Sequence, residues 1–243
     1  MGRVLTAEFL KLKGSPALWV SAVGVVSAPL LTGLLMGALG AAVGWAKFMN
    51  QSIAFVVFLG SVLFGLVAAY LFGREYTEDT LKSLLTAPVQ RAWIIVAKLI
   101  VLLVWSLGLA LVAWIVSILI GLTVVSEVLS LGMAWQTMKW FIVTVFLVYA
   151  TLPSVAWLAM WSRGYIVPIG FALVTAFSGL IFLGSNKYSK LFPWTIPTAY
   201  ALSVRPDNPG VVLGASSWAV MATLFVLGAI MCLLHLRYAD VDK

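Results

Sequence analysis

The polar chemistry of this chain is concentrated in one stretch. Residues 72–98 read FGREYTEDTLKSLLTAPVQRAWIIVAK and lie between two long apolar runs. Glu75, Glu78 and Asp79 come early, and Lys82 follows Glu78 at i,i+4 spacing. A helix here would carry acids near its N-terminus, where the helix dipole favours them, and would allow an ion pair between Glu78 and Lys82. Leu81, Leu84 and Leu85 share one face, Pro88 ends the helix, and Arg91 and Lys98 lead back to the next apolar run. The pattern predicts a short amphipathic helix. Two readings are open: an ordinary interfacial loop helix, or a docking helix that inserts into a cytoplasmic partner.

Other chemistries are absent from the sequence. No G-x-x-x-x-G-K-[ST] loop is present, so no ATP site of the Walker A kind is expected in this chain. No H-E-x-x-H occurs, and His235 is the only histidine, which leaves no basis for a multi-histidine metal site or a Ser–His dyad. His235 is expected to be an interfacial side chain. Cys232 is the only cysteine and lies in an apolar run, where it is expected to pack as a small hydrophobe. No metal, no cofactor and no catalytic residue is predicted for the chain.

The elements that must hold this stretch are membrane helices. Of 243 residues, 63% are hydrophobic and 9% are charged, against about 25% charged in an ordinary soluble domain. A hydrocarbon core roughly 30 Å thick needs about 20 apolar residues per helix. The runs at about 17–39, 52–72, 93–123, 140–161, 165–184 and 216–236 fit that length. The fold expected is an all-α integral membrane protein, one transmembrane domain over residues 1–243 with six transmembrane helices. The basic N-terminal segment leads into an apolar run too long for the core of a cleavable signal. In residues 1–15, Leu5, Phe9 and Leu12 recur at helical spacing among Arg3, Glu8, Lys11 and Lys13, which predicts an interfacial helix. The third run is longer than one bilayer thickness, and Lys98 near its start is expected to snorkel to the headgroups.

Cationic residues set the orientation. With the N-terminus inside, Arg3, Lys11, Lys13, Arg74, Lys82, Arg91, Lys98, Arg163, Arg237 and Lys243 are cytoplasmic. Lys47, Lys139, Lys187, Lys190 and Arg205 are outside. The twofold bias predicts both termini in the cytoplasm. It also accounts for the net charge of +7 without a nucleic-acid partner. No Asp, Glu, Lys, Arg or His falls near the middle of a predicted span, which argues against a proton-driven transporter. Sodium sites built from carbonyls escape that test.

The same residues carry a resemblance. The chain resembles the permease subunits of type-2 ABC exporters, more narrowly the group that includes bacitracin-resistance and lantibiotic-immunity permeases. The first match is Glu8-Phe9-Leu10-Lys11-Leu12-Lys13, of the E-F-x-K-x-K kind. The second is the E-x-x-x-x-T-x-x-x-L-L-x-x-P-x-x-R stretch of Glu75, Thr80, Leu84, Leu85, Pro88 and Arg91, followed by Lys98. The third is the proline-rich Leu191-Phe192-Pro193-Trp194-Thr195-Ile196-Pro197 before the last span. The resemblance covers the whole length, and it implies a mechanism. Two permease chains, identical or sister, would pair in the prokaryotic plasma membrane. Each would dock a cytoplasmic ABC ATPase subunit, which binds ATP and Mg, and the coupling helix between spans two and three would transmit its motion. The substrate implied is amphiphilic: a peptide antibiotic, a lipid or a drug.

Carried over residue by residue, the resemblance assigns ATPase coupling to Glu75, Glu78, Asp79, Thr80, Leu81, Leu84 and Arg91. It assigns framing of that contact to Glu8, Phe9, Lys11 and Lys13 of the N-terminal helix. The segment 190–204 is apolar enough to re-enter the outer leaflet, with Phe192, Pro193, Trp194 and Pro197 as candidate outer-gate residues; Pro193, Pro197 and Pro206 forbid a plain helix there. A loop resting on the outer interface is the equal alternative. Gly33-x-x-x-Gly37 and Gly65-x-x-x-Ala69 permit close helix packing within one subunit or between two. Trp105 and Trp114 either pack within the bundle or line a lipophilic path. The competing function is a membrane anchor or sensor that holds a cytoplasmic partner and moves nothing.

Overall fold

The computed structural model describes residues 2–38, 44–78, 80, 90–184, 189–203 and 213–238. Among these there is no strand. Eight α-helices follow in order: α1 (Gly2–Leu12), α2 (Pro16–Ala38), α3 (Trp45–Thr77), α4 (Arg91–Val124), α5 (Leu131–Ser162), α6 (Ile166–Ile181), α7 (Ile196–Ser203) and α8 (Ala215–Arg237), with a 3-10 turn at Phe182–Gly184 after α6. Five of them, α2, α3, α4, α5 and α8, are long and apolar enough to cross a membrane. Helix α6 has 16 residues. At 1.5 Å per residue it covers roughly 24 Å, and the 3-10 turn extends it toward the roughly 30 Å of a bilayer core.

Helix α3 is the central post. It packs against α2, α4, α5, α6 and α7, and α5 packs in turn against α8. The spans of α3 and α5 bury the largest share of their residues and α8 the smallest. The main core runs through Phe48, Phe64, Phe72, Ile94, Leu102, Phe141 and Leu152. The outward residues of α2, α4 and α8 are large and apolar, for example Leu34, Leu119 and Leu227. A surface of that kind suits lipid, not water.

Three helices outrun the expected spans. At 32 to 34 residues, α3, α4 and α5 are longer than a bilayer core is thick. The stretches 45–51 and 131–139, expected in loops, are helical. Polar side chains ended the predicted spans, but backbone hydrogen bonding continues past them. At the start of α3, Gly44 has no side chain to cap with. Glu127, after α4, supplies the cap instead: its carboxylate accepts from the Trp45 backbone N–H at 3.3 Å, and its carbonyl accepts from the Trp45 indole at 2.9 Å. An anion beside a helix N-terminus is favourably placed.

Gly33 and Gly65 pack within the chain, whereas Gly37 is open. A side chain at Gly33 would meet Ile120 of α4, and one at Gly65 would meet Ala172 of α6. The Trp105 indole donates to Ser21 Oγ at 3.1 Å and the Trp114 indole to Thr137 Oγ1 at 3.2 Å, so both rings bind helix to helix. Helices α5 and α6 meet at a tight turn in which Arg163 takes a left-handed conformation, φ 51°. Tyr165, after that turn, stacks on Tyr70 and hydrogen-bonds Thr77 at 2.5 Å. The α5–α6 turn is thereby fastened to the end of α3. That end, with α1 and the end of α8, forms the basal end of the bundle.

Candidate functional site at the basal end

Helix α1 turns its charged side inward. Glu8 is 2% exposed, and Leu12 is buried beside it, whereas Phe9, Leu10 and Lys13 face out. Glu75, in the last turns of α3, is 6% exposed, and Lys98, two turns into α4, is 1% exposed. These three residues, far apart in sequence, meet with Lys11 in a closed ring of alternating charge. Lys98 Nζ lies 2.9 Å from Glu8 Oε2 and 2.8 Å from Glu75 Oε1. Lys11 Nζ lies 2.7 Å from Glu8 Oε1 and 3.2 Å from Glu75 Oε1. The Lys98 ammonium donates to Glu8 and to the Leu71 carbonyl at 2.8 Å, and the Glu75 carboxylate completes its surroundings as an ion-pair partner.

This ring is neutral as a whole, with two carboxylates and two ammoniums. That is the condition under which buried charge is tolerated, and removing one member would leave a buried charge without its partner. On α1 the electrostatic effects are explicit. Burial pushes the Glu8 carboxyl up, but the attraction of Lys98 and hydrogen bonds from Lys11 and Lys98 outweigh it, and its pKa lies below the ordinary value. Burial pulls Lys11 down, while Glu8 and Glu75 together hold it above the ordinary lysine value.

Arg74 extends the ring outward. It donates to the Lys11 carbonyl at 2.7 Å, satisfying an acceptor at the end of α1, and its Nε meets Glu78 Oε2 at 2.8 Å. A cavity of about 200 Å³ opens here, lined by Glu8, Lys11, Tyr70, Arg74, Glu75, Glu78, Thr80 and Lys98. Arg91, at the start of α4, donates to the carbonyls of Leu236 and Arg237 at 3.0 Å each. A cation thereby closes the C-terminus of α8, where the dipole favours it.

The coupling residues predicted from sequence thus separate. Glu75 lies inside the ring and does not present its carboxylate outward. Glu78 is exposed and pairs backward with Arg74. Thr80 is exposed. Asp79, Lys82, Leu81, Leu84 and Pro88 lie outside the described residues, as does the amphipathic helix they were expected to form. Arg91 is occupied by the end of α8. Of the N-terminal residues, Glu8 and Lys11 face the ring, and Phe9 and Lys13 face out. Lys98 does not snorkel: two carboxylates brought to it by other helices give it a buried site. Its only sequence signal was a lysine inside an otherwise apolar run. His235 sits in the last turn of α8 with its ring 6.1 Å from that of Tyr76.

The opposite end holds the candidate gate residues. The segment 189–195 is a run of turns, and α7 follows it back against α3 and α5. Phe192 packs on Phe182 and Trp194, and Trp194 packs edge-on against Phe171. Pro193 belongs to the turns. Pro197 does not forbid a helix: it stands in the first turn of α7, where a missing N–H leaves no bond unmade. Ile196, Pro197, Thr198 and Ala199 are buried, and Asn50 of α3 donates to the Ala201 carbonyl. The segment is folded into the bundle and is not laid over it. Pro206 lies outside the described residues.

Comparison with known proteins agrees with this architecture. Residues 4–179 match the family described as ABC-2 family transporter protein. A bacitracin transport permease protein of Bacillus licheniformis is 31% identical over 195 residues, covering 80% of this chain and 91% of that protein. An all-helical bundle with lipid-suited outer faces and a match over most of its length leads to one conclusion: the chain belongs to the ABC-2 family of transporter proteins, as a multi-pass permease of the prokaryotic plasma membrane.

Proposed function

We propose that the chain is the membrane-spanning subunit of an ATP-binding-cassette exporter that moves an amphiphilic substrate, of which a bacitracin-type peptide antibiotic is the first to test. The observation that carries this reading is the likeness to a bacitracin transport permease over 80% of the chain. The family implies an ATPase partner, and ATP and Mg are assigned to that subunit. The short α6 is read as a sixth crossing, completed by its 3-10 turn. With six crossings both termini share one side, and the cation bias makes that side cytoplasmic. The basal end then faces the ATPase. A second permease chain, identical or sister, completes the path.

The contact with the ATPase is assigned to residues 78–90, which join α3 to α4 at the basal end. Glu78, Asp79, Thr80, Leu81 and Leu84 remain the contact candidates, with exposed Phe9 and Lys13 beside them. Glu75 and Arg91 are reassigned to internal ties, because their polar groups are engaged within the chain. Phe192, Pro193, Trp194 and Pro197 are read as part of an outer gate.

The test is co-purification from native membranes in mild detergent, comparing wild type with a Glu78→Arg, Asp79→Arg variant. A P-loop ATPase is expected with wild type and should be weakened or lost in the variant. An ATPase that stays bound to the variant moves the contact elsewhere. No ATPase under any mild condition favours the non-transporting anchor.

A further inference from the structure

The ring of four charges does more than neutralise itself. Helix α1 joins α2 through Lys13, Gly14 and Ser15, and Gly14 has φ +83°, a left-handed conformation natural to glycine. The turn is closed by one backbone bond from the Ser15 N–H to the Leu12 carbonyl at 2.9 Å, so the angle of α1 rests on few local contacts. The apolar contacts of Leu5 and Leu12 hold it to the bundle but do not fix its register, because apolar packing is non-directional. The ion pairs at 2.7 to 3.2 Å are directional, and drawing α1 away would break the two pairs that cross from it to the bundle, Glu8–Lys98 and Lys11–Glu75, and leave each of these buried or half-buried charges one partner short.

We propose that the Glu8–Lys98–Glu75–Lys11 ring locks α1 to the last turns of α3 and the first turns of α4, so that the three bases move as one rigid block. Lys98 is the positioning residue at its centre, touching all three elements through Glu8, Glu75 and the Leu71 carbonyl. The role of this block rests on the permease reading. Residues 78–90 join the two helices that the ring ties together, so a push delivered there by an ATPase would reach α1 without slack. Lys98 contacts no substrate in this account; it acts through the geometry of its neighbours.

The test separates charge balance from positioning. In a Cys232→Ala background, spin labels at Leu10→Cys on α1 and Trp93→Cys on α4 report the distance between the two bases in lipid nanodiscs. Labelled chain is diluted with unlabelled chain so that each pair lies within one subunit. Wild type is expected to give one narrow distance distribution, unchanged when an ATPase complex is trapped with ATP and vanadate. Lys98→Met alone leaves an excess buried carboxylate and is expected to lower the yield of folded protein. Adding Glu8→Gln restores neutrality and should restore the yield, yet the distribution should broaden about twofold as α1 comes loose on Gly14. A distribution as narrow in the double variant as in wild type overturns the role given to Lys98 and leaves the two contacts of Lys11, with Glu75 and with Arg74, as the tie. A wild-type distance that changes on trapping overturns the single-block motion. The nanodisc comparison needs no ATPase, so failure of the permease reading would leave the tie itself testable.

Discussion

The two ends of the bundle are held by different means. At the basal end, α1, α3 and α4 meet through a ring of four charges, and Arg91 closes the C-terminus of α8. At the far end no ion pair is found among the described residues: the segment 189–203 is held by ring packing of Phe192 and Trp194 and by neutral hydrogen bonds from Asn50 to the Ala201 carbonyl and from Ser217 to the Lys190 carbonyl, and the buried Thr195 hydroxyl and Trp194 indole have no hydrogen-bond partner among the described residues. Charged contacts fix register and fail all at once when a member is lost. Aromatic contacts permit sliding, and unmade hydrogen bonds lower the cost of opening. The contrast suits a transporter in which one end receives motion without slack and the other yields to it.

Breaking the basal end should have the largest effect. Lys98→Met is expected to cost about 3–5 kcal/mol, because two buried carboxylates then share one lysine. Thermal unfolding in detergent measures it, and a loss no larger than that of an exposed lysine would show that the ring is not shielded from water. A smaller effect is expected at the far end. Gly179 of α6 lies against the Trp194 backbone, and a side chain there would begin 2.7 Å from the Trp194 carbonyl oxygen. Gly179→Leu should push the segment out at a cost of about 1–3 kcal/mol. Hydrogen exchange should then accelerate across 189–203 and stay unchanged at α1; acceleration at both ends would mean that they are not independent.

The smallest effect is that of pH, which sharpens the comparison without a mutation. The Glu8 carboxyl is depressed in the folded chain, so its contribution is present above its ordinary value of 4.5 and is lost as pH falls through the lower folded value. Lys11 is raised, so its contribution is present below its ordinary value of 10.5 and is lost as pH climbs through the folded value. Between these limits the contributions of Glu8 and Lys11 should be flat with pH. Exchange at α1 should quicken on the acid side while α7 holds, and Glu8→Gln should remove the acid limb. An acid limb that survives in Glu8→Gln belongs to another carboxylate.

How much of this was legible differs residue by residue. The helices of α2, α4 and α8 follow from uninterrupted apolar runs, since a buried backbone in lipid must bond to itself. Their neighbours α3 and α5 run further than the apolar pattern suggested, because a helix stops where its hydrogen bonds stop and not where its side chains become polar. The same limit hid α7. Pro197 was expected to forbid a helix, although proline is at home in a first turn, and only packing against α3 and α5 shows that the segment turns inward. At the site, the sequence singled out Glu8, Lys11, Glu75 and Arg91 as polar residues at helix ends. Lys98 was expected to snorkel to the headgroups, and its burial instead makes Glu8 and Glu75 internal.

The sequence by itself determined the membrane class, the approximate helices and the stretch where polar chemistry gathers. Hydrophobicity and helical spacing are local properties, readable from neighbours along the chain. Only the tertiary structure decided which charges meet. Lys98 on α4, Glu75 on α3 and Glu8 on α1 are brought within hydrogen-bond distance by helix packing, and a buried ion is tolerable only where all its partners arrive together.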